Sequence, residues 1–201
     1  MANITKTIQA ELQGITAVAS AAQSISSELS CPNQLAATIF IDFGLDSATT
    51  PVGTEFMIGV SQKASGNDTW RTIWSILTGV TAPSAIVTDA QETAGATVIE
   101  CGATVPALNN IVFLKNSTIG NSEWVKVVAR VITAGSESFT IQDGLTNIQA
   151  AGTYYDKAEQ FIVQLDLPAI KRLRVVCNNN YAASSASCVW RCACITADSI
   201  G

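Results

Sequence analysis

The chain has 201 residues, of which 48% are hydrophobic and 13% are charged; its net charge is −5, and it contains no histidine. A chain of this length can bury a substantial core. Without histidine it lacks the commonest general base and metal ligand, so we expect no enzyme and no metal or cofactor. The negative charge argues against nucleic-acid binding, and no apolar run reaches the ~20 residues that span a bilayer. Met1 to Thr7 has no secretory-signal pattern, so we expect synthesis in a cytoplasm that keeps the six cysteines reduced.

Residues 1–34 predict an N-terminal arm. Five apolar residues fall at helical spacing and permit an amphipathic helix: Ile4, Ile8, Leu12, Ile15 and Val18. The frequent Ser, Thr and β-branched residues, with Gly14 in the middle, instead suit an extended segment that ends in a short strand, Ser24 to Leu29. We favour the extended arm, because all later structure is β. The turn Cys31-Pro32-Asn33 ends it.

Residues 35–87 predict three strands of a β-sandwich. Ile39, Ile41 and Phe43 alternate with Thr38, Phe40 and Asp42, so the first strand has one apolar face. The next two strands have one inner face each, formed by Phe56, Ile58 and Val60 and by Trp70, Thr72 and Trp74. Three breaks are predicted around these strands, at Thr50-Pro51, at Gly66-Asn67-Asp68, and at Gly79 with Pro83.

Residues 88–156 predict an inserted unit of short strands. The segments with strand character are Thr97 to Cys101, Ile111 to Lys115, Glu123 to Thr133 and Phe139 to Gln142. Turn sequences such as Asp143-Gly144 separate them. A unit of this size is typical of a small closed β-barrel.

Residues 157–201 predict the rest of the sandwich. Gln160 to Leu167 and Lys171 to Cys177 alternate strongly, and the turn Asn178 to Ser187 leads to a last strand. That strand places four residues on one face, Cys188, Trp190, Cys192 and Cys194, and four on the other, Val189, Arg191, Ala193 and Ile195. The predicted fold is therefore an all-β, antiparallel, jelly-roll-like sandwich of residues 35–87 and 157–201, with the barrel of 88–156 inserted.

Four cysteines are the candidate metal ligands: Cys177, Cys188, Cys192 and Cys194, the first lying across a predicted hairpin from the others. Zinc needs four converging ligands, usually from Cys-x2-4-Cys turns, whereas same-face neighbours on a strand stand about 7 Å apart. The pattern therefore favours small apolar core residues. A disulfide of Cys177 with Cys188 or Cys192, formed after release from the cell, stays open.

The carboxylates and tryptophans give no clear catalytic or binding pattern. Spacing selects no carboxylate pair of the kind a glycosidase needs among Asp42, Asp46, Glu55, Glu92, Glu123, Asp143, Asp156, Glu159 and Asp166. Trp70 and Trp74 share a predicted strand face, which leaves a sugar-stacking platform open. Tryptophan more often anchors a core or an interface, and this is the favoured interpretation for these two and for Trp124 and Trp190. The chain has no phosphate loop and no nucleophile elbow.

Several segments resemble virion structural proteins of tailed bacteriophages. The run from Leu35 to Phe43, followed by Val60 to Trp70, is similar to proteins that decorate or cement the capsid. The segments that resemble small β modules of phage head and tail proteins are Asn110 to Leu114, Ser122 to Val125, Phe139 to Ile141 and Asp143 to Leu145. The resemblance implies no catalytic residues.

The resemblance and the charge-poor composition together predict a structural role. We expect a decoration protein on the exterior of a phage capsid, which binds the major capsid protein through its arm and sandwich and bridges neighbouring subunits. A cyclic homotrimer is the expected assembly. The alternatives are a tail-tube or head–tail connector subunit and a carbohydrate-binding adhesin.

Overall fold

The structure is a computed structural model. It describes residues 6–8, 11–45, 53–66, 69–78, 84–102, 104–133, 135, 137–180 and 187–198. Several predicted features lie outside these residues: Thr50-Pro51, the turn residues Asn67 and Asp68, Gly79 with Pro83, and most of the turn Asn178 to Ser187.

The described residues form β-strands and one short 3-10 turn, Ile119–Asn121. The strands are β1 (Lys6–Ile8), β2 (Gln13–Val18), β3 (Gln23–Ile25), β4 (Leu29–Ser30), β5 (Gln34–Leu45), β6 (Thr54–Ser61), β7 (Arg71–Thr78), β8 (Ala85–Val87), β9 (Val98–Cys101), β10 (Ile111–Leu114), β11 (Glu123–Val131), β12 (Glu137–Ile141), β13 (Thr153–Asp166), β14 (Arg172–Asn179) and β15 (Cys188–Asp198).

These strands make two antiparallel sheets that pack as a sandwich. The larger sheet has the order β1-β15-β5-β13-β10-β11-β12-β9, with β2 added on β15 and β8 on β13. The smaller sheet has the order β3-β14-β6-β7, with β4 added on β14. The prediction of an all-β antiparallel sandwich is confirmed; its jelly-roll likeness stays a prediction.

The sandwich core follows the predicted strand faces. On β5, Ile39, Ile41 and Phe43 are at most 1% exposed, while the alternate side chains are partly open. The Phe56 ring of the smaller sheet lies 5.6 Å from Phe43 and 5.7 Å from Trp190 of β15, measured between ring centroids. Alternation therefore selected the buried faces of β5, β6 and β15 correctly, whereas the predicted inner face of β7 was wrong, since Thr72 is exposed.

The N-terminal segment is extended, so the helical alternative is wrong for its described part. It runs along one edge of the sandwich, where β2 pairs with β15 and β3 and β4 pair with β14. The predicted strand Ser24 to Leu29 is interrupted at Ser26, whose N–H donates to Val175 O and whose Oγ accepts from Val175 N. Leu12, Val18 and Leu29 are buried in the sandwich core. Residues 11–30 therefore belong to the sandwich of their own chain and do not form a free arm.

The segment from Ala85 to Tyr154 has a second core. Its buried residues include Ile86, Ile99, Val127 and Phe139, from four different strands. The strands β8, β13, β10, β11, β12 and β9 form an open ladder, and among the described residues its two end strands, β8 and β9, meet only at the isolated bridge Thr88↔Cys101. A barrel closed by continuous strand pairing is therefore not found in the described residues. The domain boundaries at 87/88 and 156/157 stay a prediction; β13 passes the second of them without a break.

The two strongly alternating strands near the C-terminus are not a paired hairpin. β13 pairs with β5 in the larger sheet, and β14 pairs with β6 in the smaller one. The short connection at Pro168 and Ala169, where Ala169 has a φ of 68°, carries the chain from one sheet to the other. These neighbours in sequence therefore face each other across the core.

Candidate assembly surface

The outward side of the larger sheet presents an apolar surface where β13, β5 and β15 lie side by side. One row across it consists of Ile162, Phe40 and Ala193, and the next of Gln164, Thr38 and Ile195. Ile162 is 66% exposed, and Phe40 and Ile195 are partly exposed. We name this surface the assembly face and define it by Ala36, Thr38, Phe40, Ile162, Ala193 and Ile195.

The assembly face carries no formal charge of its own. A shallow depression of about 260 Å³ lies between β5 and β15, lined by Ala36, Phe40 and Ile195 among others. At one end of the face Arg191 Nε donates to Asp42 Oδ2 at 2.6 Å, so these two charges are paired with each other. At the other end the exposed Asp166 of β13 stands in register with Ala36, so the uncharged part of the face lies between these two charged ends.

A second group of exposed apolar side chains lies in the unit with the second core. Val98 of β9 and Val128 and Val131 of β11 are 42–50% exposed, and Ile132, which follows β11, is 62% exposed. Lys126, Arg130 and Glu100 accompany them, so this group is more polar than the assembly face. We name it the module face.

The two lateral edges of the sandwich differ. The N-terminal segment covers the edge formed by β15 and β14. At the other edge β7 pairs only with β6, and residues 159–166 of β13 pair only with β5, among the described strands. Trp74 and Phe161, whose ring centroids are 6.4 Å apart, are half-buried there. Thr78 Oγ1 donates to the Glu159 carboxylate across the same edge. One edge is therefore closed by the chain itself, and the other has unpaired strand backbone.

A cleft of about 580 Å³ separates the sandwich from the second unit. Glu11, Trp124, Asp143 and Arg191 line it, with Glu123. The Glu123 carboxylate already accepts the N–H groups of Thr146 and Asn147, both at 2.8 Å, and the Gln149 side chain at 3.0 Å. Phe113 and the Arg191 guanidinium both contact the Trp124 ring. The Glu123 hydrogen bonds therefore stabilise the second unit internally, and the Arg191–Trp124 contact joins that unit to the sandwich.

The tryptophans do not form the sugar-stacking platform that the sequence left open. β6 pairs Ile58 with Trp74 but Gly59 with Thr72, so a bulge in β7 shifts the alternation on which the shared face depended. Trp74 packs on the sandwich core. The ring of Trp70 is covered by the guanidinium carbons of Arg174 at 4.2 Å and Arg172 at 5.1 Å. Trp190 is fully buried.

The four candidate cysteines do come together, inside the sandwich core. Cys177 lies on β14 and Cys188 on β15, so they face each other from opposite sheets and not across a hairpin, with 3.9 Å between their Sγ atoms. Burial raises the pKa of Cys192 and of Cys194 to about 12. The pKa of Cys177 is raised by its contact with the Cys188 thiol and by burial. Thiolates, the form that attacks or binds metal, are therefore disfavoured here at neutral pH.

The predicted carboxylates stay scattered. Asp42 pairs with Arg191, Glu159 with Thr78, and Glu123 with two backbone N–H groups. Asp46 lies outside the described residues, and the side chain of Asp156 is not among those described. Within the described ranges no group of three or more Cys, Asp or Glu side chains is arranged to hold a metal ion, and no helix is long and apolar enough to cross a membrane.

The sequence interpretation did not identify the assembly face. The sequence did contain a pattern that indicates this face, since β5 and β13 carry apolar residues on both of their faces. Phe40 and Ile162 stand at positions where a half-solvated strand would have polar groups. Such positions indicate a second covered face.

No family model matches the chain, and no curated protein sequence is detectably similar to it. Among solved structures it is similar to infectious bursal disease virus Gx strain, with a TM-score of 0.28 and 8% identity over 98% of this chain and 40% of that one. It is also similar to the VP2 subviral particle of the same virus (TM-score 0.22, 8% identity, 97% of this chain and 41% of that one). VP17, a capsid protein of bacteriophage P23-77, matches with a TM-score of 0.22 and 9% identity over 97% of this chain and 100% of that one. The chain is thus weakly similar to viral capsid proteins and spans less than half of the VP2-type chains. At these TM-scores the likeness carries no argument about function.

Proposed function

We propose that this protein is a structural component of a phage virion that stabilises the capsid by bridging neighbouring major capsid protein subunits. The observation on which the proposal rests is the assembly face, a largely apolar surface on the outer side of the larger sheet with charged residues at its two ends. Monomeric proteins rarely leave contiguous apolar patches open to water, and interface cores are depleted of charge. The surface of a protein shell is large enough, and apolar enough at its contacts, to cover the assembly face.

Bridging requires two contact surfaces on one molecule. The assembly face on the sandwich supplies one, and it would lie on the shell. The module face supplies another, on the unit that would project from the sandwich. Its mixed character, with Lys126 and Glu100 beside Val98 and Val131, suits a smaller contact that forms after the first.

The N-terminal segment has a smaller part in this proposal than the sequence predicted. Residues 11–30 are committed to the edge of their own sandwich, so the sandwich is the main binding element. The cyclic homotrimer remains part of the proposal, and the open lateral edge offers a place where subunits can meet.

The proposal is tested by sedimenting the purified protein with capsids that lack it. The variant Ile162→Asp puts a charge into the centre of the assembly face and should raise the Kd for the capsid, obtained from the pelleted fraction over a range of protein concentrations, at least tenfold, equivalent to about 1.4 kcal/mol. Ile148→Asp is the matched control, because Ile148 is similarly exposed, at 55%, on a loop away from the assembly face. Its binding should equal that of the wild type.

Three outcomes would overturn the proposal. A protein that stays strictly monomeric and does not pellet with capsids is not a decoration protein. Rings or tubes in negative-stain images would indicate a tail-tube or connector subunit. Glycan binding abolished by Trp74→Ala, with the fold intact, would indicate an adhesin.

A further inference from the structure

Cys177 and Cys188 form a close pair of thiols between the two sheets. Their sulfur atoms are 3.9 Å apart, and both residues are 0% exposed. A disulfide needs about 2.05 Å between sulfurs, so each strand or side chain has to move by only about 1 Å. We propose that this pair is an oxidation site that closes to a disulfide when the protein meets a peroxide oxidant.

The position of the pair decides what the bond would do. β14 and β15 belong to different sheets, and the backbone ladders that hold each of them do not cross between sheets. The Cys177–Cys188 bond would be a covalent link from sheet to sheet. It would also close the chain segment 178–187, so that the unfolded state loses loop entropy.

The chemistry balances with a peroxide as the only added reactant. One thiol loses its proton and the thiolate attacks hydrogen peroxide; the O–O bond breaks, the sulfur becomes a sulfenic acid, and the leaving hydroxide takes up that proton to form one water. The second thiol then attacks the sulfenic sulfur, the S–S bond forms, and a second water leaves. Two thiols and one peroxide thus give one disulfide and two waters.

Burial sets the conditions under which this happens. Both thiols are sealed in the core, and the raised pKa of Cys177 keeps that thiol protonated. Oxidation therefore needs transient opening of the core and a small oxidant. In a reducing cytoplasm the pair stays reduced, and the bond forms during longer exposure outside it. This inference does not depend on the proposed function.

The sequence provides a direct assay. Trypsin cleaves after Arg174 and Arg191, and no Lys or Arg lies between them, so one peptide from Val175 to Arg191 contains both cysteines. After treatment of the folded protein with hydrogen peroxide and alkylation of free thiols, this peptide should be unalkylated and two hydrogen atoms lighter than its reduced form. Cleavage after Tyr181 with chymotrypsin should leave its halves joined until a reductant is added.

Thermal unfolding tests the consequence for the fold. The oxidised protein should unfold about 5–10 °C above the reduced one, from the loop-closure effect in a domain of this size. Cys188→Ala should lose this difference. Cys101→Ala, which removes a buried cysteine of the second core, should keep it.

Either of two results would overturn the inference. One is a Val175–Arg191 peptide that carries two alkylated cysteines after oxidation of the folded wild type. The other is a disulfide map, obtained from the linked peptides, in which Cys192 or Cys194 is the partner of Cys177. If the Cys177–Cys188 disulfide forms but lowers the unfolding temperature, the claim that it stabilises the fold is refuted.

Discussion

The ring of Phe113 in β10 packs directly on the backbone of Gly44 in β5. A Cβ built at Gly44 would lie 2.7 Å from Phe113 Cβ, which is closer than such atoms approach in real structures. Phe113 is 1% exposed and packs with Ala158 and Val189, at the place where the second unit meets the sandwich. Only glycine leaves room for this contact at position 44, because Phe113 Cβ is fixed to the backbone of a buried residue and cannot move aside.

Gly44→Ala should therefore destabilise the fold by about 1–3 kcal/mol, the usual cost of overpacking. The measurement is urea-induced unfolding. Gly120→Ala is the control, because an added Cβ there meets nothing within 4 Å. Equal stabilities of the two glycine variants would refute the steric account.

Leu12→Ala should cost about 2–5 kcal/mol of unfolding free energy, because Leu12 is buried in the sandwich core and its removal leaves a cavity. Ile25→Ala, in the same N-terminal segment, should cost little, since Ile25 is 44% exposed. The comparison is made by urea unfolding of the full chain. A free arm would give the opposite result, with both variants as stable as the wild type.

Glu123→Gln should destabilise the second unit by about 1–3 kcal/mol. The carboxylate accepts two backbone N–H groups and one amide, and the substitution replaces one acceptor oxygen by a donor. Glu100→Gln is the matched control, because it makes the same chemical change at an exposed side chain. Hydrogen exchange at Thr146 and Asn147 gives the sharper measurement. Protection that is unchanged at these two amides would contradict the assignment.

The stability of the reduced protein should fall as the pH rises above 9. The ordinary thiol pKa is 9.0, whereas in the folded chain burial raises the pKa to about 11 for Cys31 and to about 12 for Cys194. The unfolded state therefore releases these protons first. The stabilisation is complete below pH 9 and is lost between pH 9 and the folded pKa, by at most about 1.4 kcal/mol per pH unit for each thiol.

The measurement is urea unfolding from pH 8 to pH 11 with a reductant present. Cys194→Ala removes one thiol, so its stability should fall less steeply with pH than that of the wild type. The difference between the two curves isolates the thiol from lysine and tyrosine titration. Parallel curves would mean that the Cys194 thiol has the same pKa in both states.

The sequence predicted strand faces much better than strand partners. Alternation identified Ile39, Ile41 and Phe43 as buried, and it placed Cys188 and Trp190 on the inner face of β15, because the side-chain period of a strand is local. Pairing is not local. That β13 and β14 lie in different sheets depends on the turn at Ala169, and the bulge opposite Gly59 moved Trp70 away from Trp74.

The N-terminal segment and the cysteines show the same limit. Residues 13–18 pair with β15, at the other end of the chain, so their own composition indicates an extended segment but not its partner. The cysteine cluster was correctly interpreted as core, since the distance between same-face neighbours follows from strand geometry alone. The 3.9 Å approach of Cys177 to Cys188 across the sheets required the fold.

The long strand β13 has a mechanical consequence. It leaves the second unit, where Tyr155 pairs with Phe113, and continues without a loop into eight residue pairs with β5. A pull on the second unit along this strand is resisted by all eight pairs at once, in shear, whereas a hinge would let them separate one after another. Force applied to one part of the molecule would thus be transmitted stiffly to the other.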